Sequence, residues 1–260
     1  MKPGRLAGQR AVVTGGTSGI GFGIAQRFLH EGASVLIAGL TQEDVFRAEA
    51  TLREADKPTV CGYAGELHLP EGGEQLRAAA LETLGGIDIL VNNAGGGVIA
   101  DTSNHTEATL QSTIDNNLWT TVRCTLAFLP DMVAAGYGRI VNVGAESVRN
   151  GLDGHAIYNA AKGGVHALAV GLAREYAASG VTVNVVAPSF TLTPELQQAS
   201  DQGRLTADML AAMHRAEQLI PMGRPARVDE IAAAVLFLAS QEASFITGQV
   251  LSVNGGSSMG

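Results

Sequence analysis

Short apolar runs rich in Val and Ile alternate with longer amphipathic stretches along the whole chain. Residues 10–14 (RAVVT), 34–38 (SVLIA), 59–63, 87–92 (IDILVN), 139–143 (RIVNV), 181–187 (VTVNVVA) and 249–253 (QVLSV) read as strands. Most lack the every-second-residue polarity of a strand wetted on one face. They are therefore expected in a parallel sheet covered on both sides. Helical spacing recurs over residues 19–31, 42–56, 71–84, 104–135, 155–178, 194–218 and 227–239. This βαβ rhythm, with no Pro/Ser linker, charge block or repeat to divide it, predicts an α/β fold: one domain over 1–260 built on a doubly wound, seven-stranded parallel sheet. The least regular stretch, 188–226, begins PSFTLTPE and ends IPMGRPAR. An insertion beyond a strand's carboxyl end in such a fold is expected to form a substrate lid.

Composition narrows the chemistry. The chain carries 17 Lys+Arg against 25 Asp+Glu, a net charge of −8, so no nucleic-acid partner and no anionic membrane surface are expected. Hydrophobic residues make up 46% of it and charged ones 16%, which excludes intrinsic disorder. The 33 glycines exceed the usual ~7% and follow no G-X-Y period, so they imply tight turns rather than collagen. MKPGRLAGQR has basic residues with no apolar run behind them, and nowhere do 18 apolar residues follow one another. Cys61 and Cys124 have no metal-ligand spacing and read as reduced thiols. A cytoplasmic protein without a metal is the expectation, and the sequon at Asn104 is taken as chance.

After the first strand comes Thr14-Gly15-Gly16-Thr17-Ser18-Gly19-Ile20-Gly21 and then an apolar helix. Glycines there let the backbone turn and approach a pyrophosphate, whose charge meets the N–H groups and dipole of the helix start. A second run, Gly95-Gly96-Gly97-Val98-Ile99-Ala100, matches G-x-G-x-x-A but is set aside because Asp101-Thr102-Ser103 delays the helix. Tyr158 and Lys162 stand four apart and share a helix face. A free phenol titrates near ~10, and a close ammonium would lower that value toward neutrality.

Taken in order, T-G-x-x-x-G-I-G, Asn92-Asn93-Ala94-Gly95 and Tyr158-Asn159-Ala160-Ala161-Lys162 closely resemble the short-chain dehydrogenase/reductase family, across nearly the whole chain. The resemblance implies a Rossmann-like fold that binds NAD or NADP and interconverts a secondary alcohol and a ketone. It implies Tyr158 as general acid/base, Lys162 lowering its pKa and holding the nicotinamide ribose, and Asn117 anchoring a proton-conducting water. Cofactor contacts carry over to Gly15, Thr17, Ser18, Gly19, Ile20, Gly21, Gly39, Glu66, Leu67, Asn93, Ala94, Gly95, Pro188, Thr191 and Thr193. The tail Phe245–Val253 and the Gly-Arg-Ile-Val-Asn run look like the branch acting on cyclic alcohols and hydroxyacyl thioesters. The small residues Ala156, Ala160, Gly163, Gly164 and Ala167 then fit a homotetramer built partly on that helix, although packing within one subunit explains them equally.

Two positions depart from the family pattern. The serine that polarises the substrate oxygen lies thirteen residues before the tyrosine, and here that position is Ala145. Ser147 is the expected replacement, with Glu146 as an alternative substrate contact. At the end of the second strand, Gly39-Leu40-Thr41 has neither the acid that selects NAD nor an arginine for a 2′-phosphate. Without a cation there, NAD is favoured. His166 continues the Tyr158/Lys162 row and is read as a packed or interface residue, and His155 as a helix-start residue within reach of substrate. The competing reading is a catalytically impaired sensor or scaffold that binds nucleotide. Retention of Tyr158, Lys162 and Asn117 speaks against it.

Overall fold

The Val- and Ile-rich runs are buried on both sides, as their unbroken apolarity requires. In the computed structural model, which describes residues 4–53 and 59–259, nine strands and ten α-helices alternate. The strands are β1 (Arg10–Thr14), β2 (Ser34–Gly39), β3 (Val60–Ala64), β4 (Ile89–Asn92), β5 (Gly138–Val143), β6 (Val181–Pro188), β7 (Thr191–Leu192), β8 (Ala226–Arg227) and β9 (Val250–Val253). The helices are α1 (Gly19–His30), α2 (Gln42–Arg53), α3 (Gly72–Leu84), α4 (Glu107–Ile114), α5 (Thr120–Ala135), α6 (Ser147–Asn150), α7 (Ala156–Tyr176), α8 (Pro194–Asp201), α9 (Ala207–Gln218) and α10 (Val228–Ala239).

Seven strands form one sheet in the order β3-β2-β1-β4-β5-β6-β9, every pair parallel. The order reverses between β1 and β4, which leaves a crevice at their carboxyl ends. Alternate residues feed two cores. Val13, Val35 and Ile37 pack with Ile24 and Phe28 of α1 and Val235 of α10. Val12, Leu36 and Leu90 pack with Leu76 of α3, Phe128 of α5 and Leu172 of α7. Each of these buried apolar side chains contributes roughly 1.5–3 kcal/mol relative to exposure.

Strand positions agree with the expectation to within about two residues, and the last residues of the expected helix 42–56 lie outside the described residues. Two helices differ. The stretch read as one helix over 104–135 is interrupted by a π turn, Asp115–Trp119, between α4 and α5. Thr120 and Thr121 hydroxyls donate to Asp115 O (3.0 Å) and Asn117 O (2.8 Å), satisfying carbonyls that the wider turn displaces. The expected helix 194–218 is two helices, each started by a threonine: Thr193 accepts from Leu196 N, and Thr206 from Met209 N. Such caps compete with helix continuation because they need extended backbone at the cap residue. Within 188–226, β7 and β8 also pair as a separate parallel ribbon that ties the segment's two ends together.

Candidate active site

The glycine loop is shaped by close backbone approach. A Cβ on Gly21 would lie 2.1 Å from Gly15 O, and one on Gly15, whose φ is +60°, would lie 2.9 Å from Ala94 Cα. Only glycine fits at these two positions. Thr14 and Asn93 fasten the loop to the end of β4. The Thr14 hydroxyl accepts from Asn93 N (3.0 Å) and Ala94 N (2.9 Å), while Asn93 Nδ2 donates to Thr14 O and Gly15 O. Thr14 was quoted in the motif without a role, and its bonds to β4 emerge only from strand pairing. The run at Gly95–Ala100 is followed by only a single 3₁₀ turn, Thr102–Asn104, and α4 does not start until Glu107.

A cleft of about 610 Å³ runs from this loop to Tyr158. Among the residues expected to hold cofactor, Gly15, Thr17, Ser18, Gly19, Ile20, Gly39, Glu66, Leu67, Asn93, Ala94, Gly95, Tyr158, Lys162, Pro188, Thr191 and Thr193 line it. Gly21 lies behind the wall, where it permits the close packing just described. The elongated cleft, its glycine floor and the N-terminus of a twelve-residue helix fit a dinucleotide. One anion is already there: Gly19 N donates to Glu195 Oε1 of α8 at 3.1 Å. Thr41, at the ribose end, exchanges hydrogen bonds with Asp44 instead of pointing a free hydroxyl into the cleft. Gly39 has no room for a side chain, because a Cβ there would lie 2.5 Å from Thr17 Cγ2.

At the far end, Lys162 is buried and its Nζ donates to Val143 O at 2.8 Å. Asn117, in the π turn, has no exposed surface. Its Nδ2 donates to Gly96 O and Thr113 O, both 2.8 Å, and its Oδ1 accepts from Gly96 N at 3.2 Å. A Cβ on Gly95 would lie 2.6 Å from Asn117 Oδ1 and 3.2 Å from Lys162 Nζ, so that glycine is what lets both side chains approach. Lys162 Nζ stands 5.8 Å from the centre of the Tyr158 ring. Burial pushes the Tyr158 phenol up to about 12 and the Lys162 ammonium down to about 8. The direction for Tyr158 is opposite to that expected from the i, i+4 spacing. Desolvation of the phenolate outweighs the neighbouring charge in the protein alone.

The sequence expectations for the histidines and Ser147 can be placed. His166 sits beneath the loop after β5, its Nε2 accepting from Ala145 N (3.4 Å) in the space left by Gly144. Burial, then the charges of Arg149 and Lys162, push it down to about 4, so it is a neutral packing residue. His155 meets Tyr158 edge to face, with centroids 6.1 Å apart. Ser147 is buried, and its Oγ donates to Asn159 Oδ1 at 2.6 Å, which commits its proton to α7.

Tyr158 also lines a second cavity of about 390 Å³, walled largely by apolar side chains including Leu152, Phe190, Met209 and Met213. Segment 188–226 supplies much of that wall. Four polar residues stand around it: Glu146 and Asn150 from the two ends of α6, Ser189 from the segment after β6, and Ser257 from the stretch after β9. Of these the sequence marks Glu146 as a candidate substrate contact and Ser189 only as the serine that stands for glycine in the Pro188-Ser189-Phe190-Thr191 segment, while Asn150 and Ser257 carry no motif.

Comparison with known proteins agrees with this geometry. A family model described as enoyl-(acyl carrier protein) reductase matches residues 15–258. The chain is 48% identical over 254 residues to a 2,3-dihydroxy-2,3-dihydro-p-cumate dehydrogenase of Pseudomonas putida, covering 98% of this chain and 96% of the relative. It is 38% identical over 253 residues to the 3-oxoacyl-(acyl-carrier-protein) reductase FabG of Vibrio cholerae (96% and 98%). Identity to a short-chain reductase protein of Streptomyces niveus is 33% over 246 residues (95% and 92%).

Proposed function

The chain belongs to the short-chain dehydrogenase/reductase family, and from that premise we propose that it oxidises a secondary alcohol on a hydrocarbon ring with NAD. It is an oxidoreductase of CH–OH groups, as its relatives are named. One observation carries the finer reading: Tyr158 lines both the polar dinucleotide cleft and the apolar cavity, so it stands at the wall the two contents would share. The 48% identity to a dehydrogenase named for a dihydroxy-dihydro ring substrate favours a cyclic alcohol over an acyl thioester.

A nicotinamide nucleotide would be held by the glycine loop, Asn93 and Lys162 and would supply the hydride acceptor. This chain's own task is the proton. Tyr158 takes it from the carbinol hydroxyl, and Lys162 with Asn117 extends the polar path away from it. Burial keeps Tyr158 protonated even beside Lys162, so its phenolate would form readily only when the filled site adds further positive charge. Ser147 fastens Asn159, next to Tyr158, and so positions the tyrosine rather than touching the substrate oxygen.

NAD is favoured because the strand end Gly39-Leu40-Thr41 presents no cation. Arg47 on α2 is paired with Glu43 and Asp44. The non-catalytic sensor reading draws on Ala145, which offers no hydroxyl. It leaves the assembled Tyr158, Lys162 and Asn117 without a use. The reading includes a cytoplasmic homotetramer. Leu126 and Val170, exposed on α5 and α7, suit a subunit contact, and a monomeric mass in solution would refute it. Among the described residues no helix is long and apolar enough to cross a membrane.

The test is nicotinamide reduction over linear, cyclic and CoA-linked secondary alcohols, with NAD and NADP in parallel. Turnover of cyclic alcohols that vanishes in Tyr158→Phe, with nucleotide binding retained, is expected. Nucleotide binding without turnover of any alcohol would favour the sensor.

A further inference from the structure

The apolar cavity beside Tyr158 contains a polar anomaly. Four oxygens of residues lining it, Glu146 Oε2, Asn150 Oδ1, Ser189 Oγ and Ser257 Oγ, are buried without a hydrogen-bond partner among the described residues. Buried polar atoms in folded proteins are nearly always paired, so four orphans around one cavity point to a ligand that brings donors. Two of them, the Glu146 carboxylate oxygen and the Asn150 amide oxygen, are pure acceptors. A hydrocarbon with more than one hydroxyl group matches such walls.

Glu146 is the most constrained of the four. It is 1% exposed, its backbone N–H donates to Pro188 O at 2.9 Å, and its Oε1 accepts from the Ser258 hydroxyl. Ser258 is fixed in turn by the tail: Asn254 Nδ2 donates to Ser258 O at 2.8 Å, and Gly256 N to Asn254 Oδ1 at 2.9 Å. Asn150 lies one helical turn on, and its N–H donates to Glu146 O at 3.3 Å. One carboxylate oxygen is thus anchored by the chain's end, and the other is left for whatever enters the cavity.

We propose that Glu146 determines substrate choice by accepting, through Oε2, the hydrogen bond of a second hydroxyl on the carbon next to the one oxidised. This rests on the alcohol oxidation proposed above and narrows it to vicinal ring diols. An O–H bond to a carboxylate is short and strong, and a mono-alcohol would leave that oxygen dry and unpaired. Discrimination therefore comes as much from rejecting the mono-alcohol as from holding the diol.

The test compares kcat/KM for cis-1,2-dihydroxycyclohexa-3,5-diene and cyclohex-2-en-1-ol in the wild type, Glu146→Gln and Glu146→Leu, with NAD affinity and melting temperature measured alongside. The wild type should prefer the diol by about 100-fold or more. Glu146→Leu should lose most of that preference, with kcat/KM falling by about tenfold for the diol and rising by about tenfold for the mono-alcohol, and with NAD affinity unchanged. Glu146→Gln, which keeps a carbonyl acceptor, should recover part of it. If Glu146→Leu does not fold, Glu146→Gln and Ser258→Ala decide, each expected to lower the preference by about tenfold. Equal losses on both substrates, or a preference that survives every variant, would overturn the assignment. A wild type that oxidises the mono-alcohol as well as the diol would overturn it too, while leaving the alcohol reading intact. A wild type that oxidises neither would refute the alcohol reading itself.

Discussion

Replacing Lys162 by methionine should stabilise the protein while removing its activity. The ammonium is buried, and burial brings its pKa from 10.5 to about 8. That fall corresponds to roughly 3 kcal/mol of lost stability at pH 7, where the lysine is charged both folded and unfolded. Methionine removes this cost, keeps most of the apolar stem and leaves Val143 O without the lysine's donor, a loss of about 1 kcal/mol. The variant should therefore gain about 2 kcal/mol at pH 7. The sign with pH follows from linkage. Between about 8 and 10.5 the folded lysine gives up its proton while the unfolded one keeps it, so wild-type stability recovers as pH rises. The advantage of Lys162→Met should shrink to about 1 kcal/mol near pH 9, vanish near pH 10 and reverse above it. The Tyr158 phenol, pushed up to about 12, works the other way above pH 10, and is common to both proteins. Urea unfolding at pH 7, 8 and 9.5, at equal protein concentration, measures the difference. A variant less stable than wild type at pH 7, or a difference that does not change with pH, would refute the reasoning. Turnover should fall by roughly 10²-fold or more.

Two further outcomes follow from the geometry. Glu195→Ala removes the carboxylate that accepts from Gly19 N at the start of α1 and should tighten NAD binding by about three- to tenfold, read by titration calorimetry; weaker binding would mean that Glu195 serves the nucleotide. Ser147→Ala breaks the bond to Asn159 and should cost about 1 kcal/mol in stability with a kcat loss below about tenfold. A loss of roughly 10²-fold or more at unchanged stability would instead place that hydroxyl on the substrate oxygen.

Much of this protein was legible in the chain itself. The parallel sheet follows from apolar runs without alternation, since only strands covered on both faces can be buried throughout. The spacing of Gly15, Gly19 and Gly21 announced a loop where backbone meets backbone, and Tyr158 and Lys162, four apart, fall on one helix face. The tertiary structure decided the rest, because it depends on neighbours distant in sequence. The π turn that aims Asn117 at Gly96 is invisible to periodicity. The tyrosine's pKa rises rather than falls because desolvation depends on what surrounds the ring, not on what stands four residues away. Glu146 lies in the chain as one acid among 25 Asp+Glu. Only folding sets it at the wall of a cavity, with one oxygen tied to Ser258 at the chain's end and the other without a partner among the described residues.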